Sequence, residues 1–136
     1  MKYLIFLIFF YSSFVFPINT KEETIMILSE CKKYKDNNFK RASTMPTHLY
    51  SIGACFSTIA TARELLGLNC LDHLNGKYEG MFKADTTEGP TGRTPSTNDI
   101  LIKVLDYVKN KDEGFFNESY RSIIWSAIIL NYPCEK

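Results

Sequence analysis

The sequence is short of several features that define common classes of protein, and each shortage removes a class. The longest unbroken apolar run, from Tyr3 to Phe10, falls below the roughly 20 residues that a membrane-spanning helix needs. Neither sign of charge dominates, because 16 Lys and Arg accompany 15 Asp and Glu. A surface with balanced charge lacks the excess of positive charge that binds nucleic acid or an anionic membrane. Proteins and small molecules remain as the candidate classes of partner.

Enzymatic motifs are also missing. The sequence contains no nucleophile elbow, phosphate-binding loop, dinucleotide fingerprint or H-E-x-x-H segment. Its two histidines, His48 and His73, have no paired spacing with cysteine that suits zinc. Asp72 beside His73 resembles an acid–base pair, but adjacent polar residues in a loop are usually solvated. Cys55 is the best candidate nucleophile, because the start of a helix favours a thiolate, unless it is oxidised. We expect no enzymatic activity, catalytic residue, metal or cofactor.

Residues 1–17 have the layout of a secretory signal peptide, in which Lys2 precedes the apolar run and Pro17 closes it. The alternative is a buried N-terminal helix, but no polar second face marks one. No pair of small residues identifies the cleavage site, and no cysteine follows the run to carry a lipid anchor. The sequence therefore predicts export, followed by a single domain over residues 18–136.

The cysteines support an oxidising compartment. All four, Cys31, Cys55, Cys70 and Cys134, follow the predicted signal peptide, and none forms a C-x-x-C pair. An even number of separated cysteines in an exported chain predicts two disulfides.

Apolar periodicity predicts two helices in the first half of the domain. The first runs from about Lys21 to Lys35, with Thr20 as its cap. The second begins near Tyr50, because Pro46 disfavours a helix interior, and ends at Gly67, a typical C-terminal stop.

Two further helices are predicted in the second half. Ser96 caps the third, with Asp99 completing a capping box. Asn117 is expected to cap the fourth, and Pro133 to end it. Four helices with short to medium links predict an all-α, antiparallel bundle-like fold stapled by two disulfides.

The predicted fold limits how the cysteines can pair. Cys55 and Cys70 flank most of the second helix, which holds them roughly 15 Å or more apart, beyond bonding distance. Two connectivities remain open. If the helices alternate in direction, Cys31 meets Cys55 at one end and Cys70 meets Cys134 at the other, so this pairing is preferred.

The segment from Leu68 to Thr94 has no clear periodicity, although its start suits one short helical turn. Glycines and Pro90 punctuate it, yet it carries large apolar residues. Long loops within compact domains are usually functional or disordered. We interpret Tyr78, Met81 and Phe82 as candidate partner-binding residues. Trp125 is a further candidate anchor, although an aromatic residue on an apolar helix more often belongs to the core.

Four segments carry a resemblance to a known family. They are Leu28–Cys31, Cys55–Glu64, the stretch with Pro95, Ser96, Ile100, Val104 and Tyr107, and the ending Ala127–Cys134. These resemble, in order, the Leu-x-x-Cys, Cys-x-Gly-Tyr-x-x-Gly-x-x-Asp, Pro…Thr-x-x-Gln-Leu…Tyr-Leu and Ala-Leu…Phe-Pro-Cys motifs of the Rap/Tai immunity proteins. That family protects bacteria against peptidoglycan amidase effectors delivered by type VI secretion.

The chain departs from the family pattern at several positions. Ser57 and Thr61 stand where the second-helix motif has glycines, and Arg93 stands where the family usually has a cysteine. The third cysteine of this chain comes earlier, at Cys70. The resemblance implies an all-helical periplasmic protein, often a homodimer, that binds a cognate amidase and blocks its active-site cleft.

A second interpretation comes from a different functional class. The chain would then be a small exported helical protein that binds a ligand or client, such as a stress chaperone. A mobile charged tail or broad exposed apolar surface would favour that reading, and neither is visible in the sequence. A gene for an exported amidase immediately upstream would favour the immunity function.

Overall fold

A computed structural model of the chain describes residues 20–42, 44–86 and 94–135. Four α-helices account for most of this part: α1 (Thr20–Asp36), α2 (Pro46–Leu74), α3 (Thr97–Val108) and α4 (Tyr120–Asn131). A short 3₁₀ helix, Glu113–Asn117, precedes α4. No strand occurs in these ranges, and the predicted all-α, four-helix class is confirmed. The predicted signal peptide and residues 87–93 of the predicted loop lie outside the described residues.

The starts of α3 and α4 show which polar residues set the helix boundaries. At α3 the predicted capping box is present, because the Ser96 hydroxyl accepts from the Asp99 amide and the Asp99 carboxylate accepts from the Ser96 amide. The predicted cap of α4 is wrong. Asn117 ends the 3₁₀ helix instead, and Ser119 caps α4 by accepting from the amide of Ser122. Because the 3₁₀ helix occupies residues up to Asn117, α4 begins further along the chain than predicted, at Tyr120.

The helix α2 is longer than the sequence pattern indicated. It begins at Pro46 rather than Tyr50, since proline is well suited to the first helical position, where its missing N–H has no partner to lose. It also continues through Gly67, which is buried, to Leu74. A mid-helix glycine costs only about 1 kcal/mol relative to alanine. The packing of residues beyond it, including buried Cys70, outweighs that cost.

The core lies among the four helices, each of which contacts the other three. Every helix contributes buried aliphatic residues, and the largest fully buried side chain is Tyr120 at the start of α4. The fully buried isoleucine, leucine and valine side chains of the core are Ile27, Ile59, Leu66, Ile100, Leu101, Val104, Ile123, Ile124 and Ile128. None of the described helices is long and apolar enough to cross a membrane.

Both preferred disulfides are present. Cys31 pairs with Cys55, and Cys70 with Cys134, with Cα atoms 6.6 Å and 5.7 Å apart. Cys55 and Cys70 share α2, where a rise of about 1.5 Å per residue separates them by about 22 Å and excludes a bond between them. The first bridge joins α1 to α2 inside the core, and the second ties the end of α2 to the chain beyond α4.

Candidate functional site

Residues 75–86 form a docked loop that runs back along α2. The side chain of Asn69 donates to the carbonyl of Phe82 at 2.7 Å. Further along the loop, the amide of Ala84 donates to the carbonyl of Leu66 at 3.0 Å. As the loop advances by two residues, its helix partner moves back by three, so the two segments run antiparallel.

The end of the docked loop is fixed more firmly still. The Thr86 hydroxyl donates to the carbonyl of Arg63 at 2.6 Å, and the Thr86 side chain is fully buried. The amide of Asp85 donates to the carbonyl of Tyr132 at 2.8 Å, beyond the end of α4. Burial raises the pKa of the Tyr132 phenol, and the nearby charge of Asp99 adds to the effect. This end of the loop therefore bridges α2 and the C-terminal segment.

The beginning of the docked loop is held by polar and backbone features. Gly76 adopts a left-handed φ of 72°, which suits glycine and turns the chain after α2. His73 Nδ1 lies 2.8 Å from the carbonyl oxygen of Tyr78. The Tyr78 ring packs on Gly80 so closely that a Cβ atom at Gly80 would overlap it. His73 and Tyr78 are half-buried, so both contribute to the shape of the loop itself.

The docked loop presents two large apolar side chains to solvent. Met81 is 80% exposed and Phe82 56% exposed. The Phe82 ring meets Trp125 of α4 edge to face, with ring centroids 6.5 Å apart and planes at 75°. Trp125 is half-buried and packs on the core with its remaining surface. We call Met81, Phe82 and Trp125 the Phe82–Trp125 patch.

Of the four residues predicted to bind a partner, three lie together in this patch and the fourth, Tyr78, does not. Phe82 and Trp125 are in contact, Met81 is the neighbour of Phe82, and Tyr78 turns inward on its own loop. Leu65 and Leu68 were missed, although both are about half-exposed on the part of α2 that the loop follows. Placing the end of α2 at Gly67 left Leu68 outside the predicted helix. The spacing of Ala62, Leu66 and Cys70 in steps of four was the signal for a longer helix.

Two side chains that the sequence analysis considered for catalysis are engaged in contacts within the described part of the chain. Cys55, the best nucleophile candidate, is fully buried and bonded to Cys31, so it has no thiolate to offer. His73, which beside Asp72 resembles half of an acid–base pair, has its Nδ1 atom 2.8 Å from the carbonyl oxygen of Tyr78. Within residues 20–42, 44–86 and 94–135, no group of three or more His, Cys, Asp or Glu could hold a metal ion.

Comparison with known proteins gives no further assignment. No family model matches the chain, and neither a curated protein nor a solved structure does. The resemblance to the Rap/Tai immunity proteins therefore stays a prediction from the sequence.

Proposed function

We propose that the chain is a periplasmic immunity protein that binds and inhibits a cognate peptidoglycan amidase effector of a type VI secretion system. The producing cell and its siblings would thereby be protected. The observation that supports this most is the Phe82–Trp125 patch, an apolar surface presented by a loop that is fixed to α2 and to the C-terminal segment. The choice of an amidase as the partner comes from the sequence motifs that resemble those of the Rap/Tai immunity proteins.

The geometry suits an inhibitor because the presented residues are ordered before they bind. Side chains of α2 contact the loop carbonyls of Tyr78 and Phe82, and the amides of Ala84 and Asp85 donate to α2 and to the C-terminal segment. Binding through a loop that is already ordered avoids the entropy cost of immobilising it, which strengthens association. Phenylalanine, tryptophan and methionine are also enriched at protein–protein interfaces relative to the rest of the surface.

The two disulfides are compatible with the proposed location in the periplasm. Both disulfides are formed, and such bonds persist in the periplasm and other oxidising environments but are rare in the cytosol. Mass spectrometry of the protein recovered from the periplasm should show no free thiol. Deleting residues 1–17 should abolish protection of cells that carry a periplasmic amidase, because the protein and its target would then occupy different compartments.

The contribution of the patch is tested by replacing its exposed members. We expect Met81→Ala with Phe82→Ala to weaken binding to the purified cognate amidase by about 2 kcal/mol or more, measured by titration calorimetry. The melting temperature should barely change, because both side chains are largely exposed. Leu130→Ala is the matched control: Leu130 is 65% exposed on α4 but lies about 140° around the helix from Trp125.

Two results would contradict the proposal at different levels. Unchanged affinity in the double variant, with an unchanged melting temperature, would move the binding surface away from the patch. Cleavage of peptidoglycan by the purified protein, or failure to protect cells against an exported amidase encoded beside it, would reject the immunity function itself.

A further inference from the structure

A groove lies between α1, α3 and the 3₁₀ helix, and it shares no lining residue with the Phe82–Trp125 patch. Its volume is about 720 Å³, within the roughly 300–1,000 Å³ of typical ligand sites. The floor is apolar and is formed by Ile25, Leu28, Leu105, Val108 and Phe116. Leu28 and Leu105 are members of the hydrophobic core, so the groove reaches down to the packed interior.

The rim of this groove is basic, although the whole chain is nearly neutral. Lys32, Lys35, Lys109 and Lys111 line it. Lys32 and Lys35 both approach the single carboxylate of Asp36, at 2.5 Å and 3.6 Å, so one of these two positive charges is left uncompensated.

The other two lysines have no carboxylate partner among the described residues. Lys111 lies over the rings of Tyr107 and Phe115, 4.7 Å and 5.1 Å from their centroids. Lys109 is exposed and forms no ion pair with any described residue. These ammonium groups remain available for an anion.

Three carboxylates line the groove, and two of them are already engaged. Asp36 is paired as described, and Glu113 receives Lys21 at 2.7 Å. Asp106 is the remaining one. The lining carries four lysines against three carboxylates, and one of these carboxylates, Glu113, is paired with Lys21, which does not line the groove. The electrostatic complement of this rim is an anion.

We propose that the groove binds a single-chain amphiphile with an anionic head, such as a long-chain carboxylate. The aliphatic chain lies on the floor, and the head is held by Lys109 and its neighbours at the rim. An aliphatic chain brings no polar group to the floor, whereas the backbone of a peptide would bury amides against side chains that cannot hydrogen-bond them. The site is independent of the proposed inhibitor function, since the two surfaces have no residue in common.

The proposal is tested with dodecanoate, titrated below its micelle concentration against the full chain carrying a bound dansyl-undecanoate reporter. We expect saturable displacement by dodecanoate and at least about tenfold weaker displacement by dodecyltrimethylammonium, which has the same chain and a cationic head. Equal displacement by both, or none by dodecanoate, would overturn the proposal. Binding only to anionic vesicles, with no displacement by the monomer, would also overturn it in favour of a membrane surface.

Two matched pairs of variants locate the site. Ile25→Asn changes the floor, and Met26→Asn changes the next residue, which has similar exposure but does not line the groove. Lys109→Glu changes the rim, and Lys103→Glu changes an exposed lysine of α3 outside it.

We expect the first member of each pair to weaken dodecanoate binding about tenfold and the second to leave it within about twofold. Circular dichroism and melting temperature verify that each variant is folded. Equal losses within both pairs would show that dodecanoate binds elsewhere, and would overturn the assignment of this groove.

Discussion

Glu30 shows how one partly buried side chain can tie two helices together. Its carboxylate accepts from Lys33 Nζ at 2.6 Å and lies 2.6 Å from His48 Nδ1, which belongs to the first turn of α2. The Glu30 side chain is only 12% exposed. The hydrogen bond from Lys33 is the largest influence on the pKa of Glu30; burial opposes it and His48 assists it. The net result is a pKa below the usual value of a glutamate.

This lowered pKa makes stability depend on pH in a defined direction. The unfolded chain binds a proton at Glu30 more readily than the folded one, so the ionised carboxylate stabilises the fold above about pH 4.5. The contribution is lost as the pH falls through the lower pKa of the folded state. We expect Glu30→Gln to reduce the free energy of unfolding at neutral pH by about 1 kcal/mol and by less in acid.

Urea denaturation at neutral pH and at about pH 3 measures this difference. Glu113→Gln is the control, because the Glu113 side chain is 82% exposed and its pair with Lys21 is a surface interaction of small value. An equal loss of stability for Glu30→Gln at both pH values would show that its charge is not what stabilises the helix pair.

At the scale of elements, the docked loop depends on a contact made by one buried hydroxyl. Thr86→Val keeps the shape of the side chain but removes the donor to the carbonyl of Arg63. We expect the amides of Ala84 and Asp85 to exchange hydrogen about tenfold faster, because the anchor beside them is lost. Affinity for the partner should fall as well, since the loop would have to be ordered on binding.

Thr58→Val provides the matched control for this change. The Thr58 hydroxyl is also largely buried and donates at 2.8 Å to the carbonyl of Ala54, within α2 itself. It should change the free energy of unfolding by a similar amount, about 1 kcal/mol, without altering exchange in the docked loop. Equal exchange rates at Ala84 in the two variants would show that Thr86 does not order the loop.

The elements also show what local sequence can and cannot specify. Helix existence, the Ser96 capping box and the class of fold follow from periodicity and capping chemistry, which act over a few residues. The extent of α2 is only indicated by the spacing of Leu66 and Cys70, because Gly67 is an acceptable stop until the burial of these two residues is known. The contact of Phe82 with Trp125 is less accessible still. It depends on the side-chain amide of Asn69, which donates to the Phe82 carbonyl, and on backbone carbonyls of α2, which every residue type carries.

At the scale of the molecule, the two disulfides stabilise different parts. The Cys31–Cys55 bridge is fully buried and joins α1 to α2 in the core. The Cys70–Cys134 bridge holds the segment after α4, whose Tyr132 carbonyl receives the amide of Asp85. From the sequence, helix geometry excludes only Cys55 with Cys70, and the alternating direction of the helices then favours this pairing over the other one that remains. The sequence could not show that the two disulfides differ in their relation to the docked loop, because this depends on where the loop and the C-terminal segment lie.

This difference leads to a prediction that separates global stability from order at the binding surface. Replacing either cysteine pair by alanine should lower the free energy of unfolding by about 3–4 kcal/mol, the loop-closure value for spans of 24 and 64 residues. Only loss of Cys70–Cys134 releases the chain that holds Asp85. Native-state hydrogen exchange at Asp85 should therefore accelerate in Cys70→Ala/Cys134→Ala. In Cys31→Ala/Cys55→Ala the exchange rate of the Asp85 amide should rise only as much as the lower global stability requires. If Asp85 is equally protected in both variants at matched stability, the second bridge stabilises the fold without ordering the Phe82–Trp125 patch.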